Sequence, residues 1–96
     1  MIEEKWKQMS LAQQMGNIGS EYSRMINLKE KGDLEYAENS FKRLMELLEL
    51  TISQRKNKEL LILKDILIDL FFNKKKYKVS SDYLRKYFIN FALIQK

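Results

Sequence analysis

Residues 31–52 read KGDLEYAENSFKRLMELLELTI, and this stretch decides the fold. Leu34, Ala37, Phe41, Leu44, Leu48 and Ile52 recur at three- and four-residue steps, with Met45 beside them. That is the period of a helix with one apolar stripe. Gly32 suits the left-handed position just past a helix end, and Asp33 suits the N-cap of the next helix. The stretch therefore predicts a helix ending near Gln54, preceded by a tight turn and an earlier helix folded back along it.

Working outward, Leu11, Met15, Ile18, Tyr22 and Met25 step by four, three, four and three. They predict one first helix from about Ile2 to Lys31. Downstream, Asn57 is a suitable cap for a third helix with the stripe Leu60, Leu63, Leu67 and Leu70. Residues 73–79 have no periodicity and read as a loop. Ser80 or Ser81 caps a fourth helix, with Asp82 favourable at the positive end of its dipole. Leu84, Tyr87 or Phe88, Phe91 and Ile94 or Gln95 then follow at helical spacing.

The chain has no proline and only three glycines, too few special-angle turns for a sandwich or barrel. The expected fold is all-α: an up-down bundle of about four helices, one domain over residues 1–96, completed by dimerisation.

Residues 8–20, QMSLAQQMGNIGS, carry no charge, where about three charged residues would be ordinary. On a helical wheel Ala12, Gly16, Gly19, Ser20 and Ser23 form a face of small residues. Each helical glycine costs about 1 kcal/mol relative to alanine, so Ala12, Gly16, Gly19 and Ser23 are expected at a close helix contact. A helix break at Gly16-Asn17 is the alternative. Gln14, Asn17, Glu21 and Arg24 form a polar seam, with Trp6 at one end and Leu28 at the other, readable as a buried structural network or as a groove for a small ligand or partner.

These residues also carry a resemblance. Trp6 to Ser10, the run Gln13 to Glu21, the Leu44 to Leu50 leucines with Thr51, and Tyr87-Phe88 resemble a family of small uncharacterised bacterial helical proteins. The likeness implies a bacterial cytoplasmic protein and no particular activity. Lys74, Lys75 and Lys76 depart from that pattern. Separately, Lys31 to Ala37 with Phe41, Leu44 and Leu47 resembles part of one tetratricopeptide repeat, but no second copy follows and a solenoid needs about three.

Without cysteine or histidine, disulfides, thiol catalysis, the usual zinc sites and a serine–histidine relay are excluded. Glu35 with Glu38, and Glu46 with Glu49, resemble the magnesium-binding pairs of all-α nucleotide pyrophosphohydrolases. The later acids Asp65 and Asp69 are four apart instead of three, so that pattern is not met. The expectation is a non-enzymatic protein with no cofactor or metal site.

A net charge of +5 invites a nucleic-acid reading through Lys74, Lys75, Lys76 and Lys78, with Tyr77 and Tyr83 available for stacking. Only Arg24, Arg43, Arg55 and Arg85 among the 18 basic residues are arginine, the residue best suited to bidentate phosphate contacts. No apolar run approaches the roughly 20 residues of a bilayer span, so no membrane is expected.

Self-association has more support. The stretch LLILKDILIDLFF at 60–72 is apolar nearly all round, and helices of that kind are covered on all sides. Leu61, Ile62, Ile66 and Ile68, with Leu47 and Leu50 of the preceding helix, are the expected interface of a homodimer. The function read from the sequence is thus a protein-interaction or oligomerisation module, with a basic nucleic-acid-binding bundle as the alternative.

Overall fold

The computed structural model describes the backbone of residues 2–94 and the side-chain surroundings of residues 3–91. Among them are five helices and no strand: α1 (Ile2–Gln8), α2 (Leu11–Glu30), α3 (Leu34–Arg55), α4 (Lys58–Phe72) and α5 (Ser81–Ile94). The all-α bundle is as expected. The side chain of Ile94, and Gln95 altogether, lie outside the described residues.

The first helix is a correction. It is interrupted at Met9-Ser10, not continuous from Ile2, and α2 passes unbroken through Gly16-Asn17. The cause is a reciprocal cap. Ser10 is extended (φ −67°, ψ 162°), its Oγ accepts from the Gln13 N–H at 3.1 Å, and Gln13 Oε1 accepts from the Ser10 N–H at 3.0 Å. Two orphan donors are satisfied at once, which stabilises a helix start there.

The other boundaries follow local chemistry. Gly32 takes the left-handed conformation (φ +83°) between α2 and α3, while Asp33 makes no side-chain cap bond. Asn57 Oδ1 accepts from the Glu59 N–H at 2.8 Å, and Ser80 Oγ accepts from the Tyr83 N–H at 3.1 Å, identifying Ser80 as the serine that caps α5. With no glycine at hand, α3 and α4 end on left-handed Lys56 and Asn73. Asparagine tolerates that conformation better than lysine does.

At the centre lies α2, packed against α3 on one side and α5 on the other. Met15, Ile18, Tyr22 and Met25 are fully buried with Leu44, Leu48, Leu60 and Leu67. Each such side chain contributes about 1.5–3 kcal/mol by leaving water. Phe41 of α3 stacks on Phe71 of α4 at 4.1 Å, and Lys29 Nζ of α2 donates to the carbonyls of Leu70 and Phe71. The end of α2, the start of α3 and the end of α4 therefore share one end of the bundle, as alternating helix directions require.

Of the small face, Gly19 lies against α5, where an added Cβ would lie 2.8 Å from Phe88 Cβ. Ala12 and Gly16 are half-buried. Ser23 is exposed and so makes no close helix contact, because the face turns into solvent one turn beyond Gly19.

Seven residues are too few for an isolated helix to persist, and α1 is held by side chains of α2 and α3. Gln14 Nε2 donates to the Trp6 carbonyl at 2.6 Å, Gln54 Nε2 to that of Lys7 at 3.2 Å, and Arg55 Nη2 to that of Met9 at 3.2 Å. A helix C-terminus leaves its last carbonyls without the usual intrahelical partner; that of Trp6 also accepts from the Met9 N–H at 3.1 Å. Trp6 is buried.

Candidate functional site

The polar seam divides into two environments. Gln14 is fully buried and belongs to the joint that holds α1: besides Trp6 it bonds Gln54 Oε1 at 3.0 Å, and its Oε1 accepts from Arg55 Nε at 2.9 Å. This part is a structural network. Asn17 is exposed, its Nδ2 donating to the Gln13 carbonyl at 2.9 Å.

One turn further, Glu21 is only 8% exposed, yet it is a carboxylate flanked by mostly solvated cations. Its Oε1 is 3.0 Å from Arg24 Nη1 and 3.6 Å from Arg43 Nε, and those arginine side chains are 61% and 65% exposed. Its Oε2 is buried and accepts no hydrogen bond from any described residue. A buried carboxylate oxygen left unpaired costs about 1–3 kcal/mol or more, so this is an uncommon arrangement for a core acid.

Glu21 lines a recess of about 330 Å³ between α1, α2 and α3. Trp6 and Met9 border it from the α1 side, and Leu47 from α3. Asn17, Ser20 and Arg24 line it along α2, with Lys5 and Arg43 completing the wall. Three cations thus face one anion, an excess of positive charge in a partly apolar hollow. The arrangement offers both charges and an apolar wall to a small molecule.

Of the seam and its Trp6 end, Asn17, Glu21, Arg24 and Trp6 line the recess, whereas sequence spacing did not point to Lys5, Met9, Ser20, Arg43 and Leu47 as their neighbours. Most of these reach the recess from other helices, and periodicity within one helix carries no information on that.

The expected interface residues are placed unevenly. Leu61 and Ile62 are 49% and 54% exposed, while Ile66, Ile68 and Leu50 are half-buried. Leu47 is buried within the chain itself and leaves the set, because α3 turns that residue toward Trp6 and the recess. Ile62 and Ile66 border a shallow cleft between α4 and α5 of about 170 Å³, floored by Leu63 and Leu84. Tyr83, itself 63% exposed, and Tyr87 form its other wall. The Tyr87 hydroxyl is buried without a hydrogen-bond partner among the described residues, and burial first, then the Glu59 and Tyr83 charges, push its pKa up to about 12.

Lys74, Lys75, Lys76 and Lys78 are exposed on a loop built around Asp69. The buried Asp69 carboxylate accepts from the Lys76 and Tyr77 N–H groups at 2.9 and 3.2 Å, and Lys75 and Lys78 are left-handed. Lys74 lies over the Phe72 ring at 5.9 Å.

Glu38 pairs with Lys42 and Glu49 with Lys64, and among the described residues no three acids converge as metal ligands would. No helix among them is long and apolar enough to cross a membrane. In comparisons with known proteins, the chain matches no family model, no curated protein and no solved structure.

Proposed function

We propose that this chain is a non-enzymatic protein-interaction module that assembles with a second copy of itself through the face formed by α4 and α5. The observation that carries the reading is the apolar cleft between Ile62 and Ile66 on one helix and Tyr83 and Tyr87 on the other. Ile62 and Tyr83 leave more than half their surface in water. Leu63 and Leu84, which floor the cleft, are apolar as well. A patch pairing with its own copy across a two-fold axis covers all of this with one contact. A bacterial cytoplasmic setting, which the family likeness implies, belongs to the same proposal.

Light scattering at micromolar concentration tests it. The native protein is expected at twice the 11.6 kDa chain mass, and Ile62→Glu with Tyr83→Glu at the chain mass with its helicity intact. A native protein that stays at 11.6 kDa on concentration refutes the reading.

One observation favours the second reading, nucleic-acid binding: the lysine loop is a built structure that presents four exposed ammonium groups beside an exposed Phe72. Replacing Lys74, Lys75 and Lys76 by glutamine is expected to leave fold and assembly unchanged. Tight, salt-sensitive binding of DNA or RNA by the native protein, abolished in that variant, would put this reading first.

A further inference from the structure

We infer that the recess at Glu21 is a binding site for a small zwitterion of the α-amino-acid type with an apolar side chain. The inference is independent of self-association, since the recess and the α4–α5 cleft share no lining residue.

Three features of the recess each ask for a different part of such a molecule. Glu21 Oε2 is a buried acceptor to which no described residue donates. A turn of the Glu21 side chain that brings this oxygen to the recess lets an ammonium group satisfy it, and charge-assisted bonds of that kind are roughly twice as strong as neutral ones. Arg24 uses Nη1 on Glu21, while Arg43 approaches through Nε at the longer distance of 3.6 Å. The remaining guanidinium N–H groups, in side chains nearly two-thirds exposed, make no hydrogen bond to a described residue. With Lys5 beside them they suit a carboxylate, which a guanidinium fork receives in bidentate fashion. Trp6 and Leu47 are apolar and buried, and they suit the side chain.

Size and charge agree with this assignment. The volume of about 330 Å³ is at the small end of ligand cavities. The lining carries three cations to one anion, so a purely cationic ligand meets net repulsion. A purely anionic one leaves Glu21 Oε2 unsatisfied. A zwitterion meets both requirements with one ammonium and one carboxylate.

Trp6 is the only tryptophan, so its fluorescence reads the recess directly. The native protein is titrated with L-leucine, L-methionine and L-phenylalanine, each to about 10 mM, a range that captures weak binding. A saturable change is expected for at least one. N-acetyl-L-leucine, which lacks the ammonium, and L-leucinamide, which lacks the carboxylate, should bind at least about tenfold more weakly than L-leucine. Glu21→Gln and Arg43→Gln should weaken binding to the same degree. Arg43 is largely in solvent, so its variant keeps the fold even if the Glu21 variant melts early. No saturable change with any of the three amino acids overturns the inference. So does equal binding of L-leucine and its two analogues, or native-like binding by Arg43→Gln.

Discussion

Trp6 donates its indole N–H to Thr51 Oγ1 at 2.9 Å, joining residues forty-five positions apart in a buried contact. Thr51 in turn donates to the Leu47 carbonyl at 3.0 Å, so its hydroxyl is committed in both directions. Thr51→Val keeps the shape and removes the acceptor. The stranded indole donor should cost about 1–3 kcal/mol. Denaturant unfolding should show a lower midpoint for Thr51→Val, with Thr51→Ser close to native.

Gly19 meets Phe88 where neither partner can rotate away, because the clash of an added methyl is with Phe88 Cβ itself at 2.8 Å. Alanine normally gains about 1 kcal/mol over glycine in a helix. Here overpacking should exceed that gain and leave Gly19→Ala less stable by about 1–2 kcal/mol. A thermal melt decides, and a melting temperature at or above native would show that α5 shifts outward freely.

Asp69 sits at the centre of the lysine loop and accepts two of its backbone N–H groups. In Asp69→Ala both donors lose their partner. Hydrogen exchange at the Lys76 and Tyr77 amides should accelerate at least about tenfold, while amides in the middle of α2 stay protected. Stability should fall by about 1–3 kcal/mol.

Alkaline pH should unfold the protein through two tyrosines. Burial raises the pKa of Tyr22 well above its usual value, with Arg85 opposing and Asp82 and Glu30 adding to the rise; Tyr87 stands at about 12. Unfolded tyrosine ionises near 10. The folded state binds these protons more tightly, so their contribution is complete below about pH 10. It is lost as pH rises through the folded value of about 12 for Tyr87, and higher still for Tyr22. Denaturation midpoints measured from pH 8 upward should be flat and then fall beyond about 10. In Tyr22→Phe, which also loses the 2.9 Å bond to the Ser81 carbonyl, the fall should be shallower from a lower starting point.

What could be read in advance divides along a physical line. Gly32 and Asn57 act on their own neighbours, so their roles at helix ends were visible in the sequence, as was a serine cap at Ser80 or Ser81. The stripe from Ala37 to Leu48 was visible for the same reason, but Leu34, expected to begin it, is 63% exposed. The break at Ser10 also had a local signal, the Ser-x-x-Gln spacing to Gln13, but the apolar stripe began at Leu11 and the polar residues before it could be joined to one long helix. The recess was legible only along the expected first helix, from Trp6 to Arg24. That Arg43 would reach Glu21, or Trp6 lie near Leu47, depends on how three helices meet, and no spacing within one of them encodes it. The loop around Asp69 was hidden similarly: an aspartate in an apolar helix looks like a solvated residue until the chain beyond it turns back.

The three carbonyls at the end of α1 have a consequence for the order of events in folding. They are received by Gln14, Gln54 and Arg55, and the last two lie in the final turn of α3. That turn forms its side of the joint only when α3 is wound to its end and lies beside α2 in register. Docking of α1 is therefore expected to follow the pairing of α2 with α3. In a stopped-flow refolding record the burial of Trp6 should lag the far-ultraviolet helix signal, making one indole the reporter of a finished molecule.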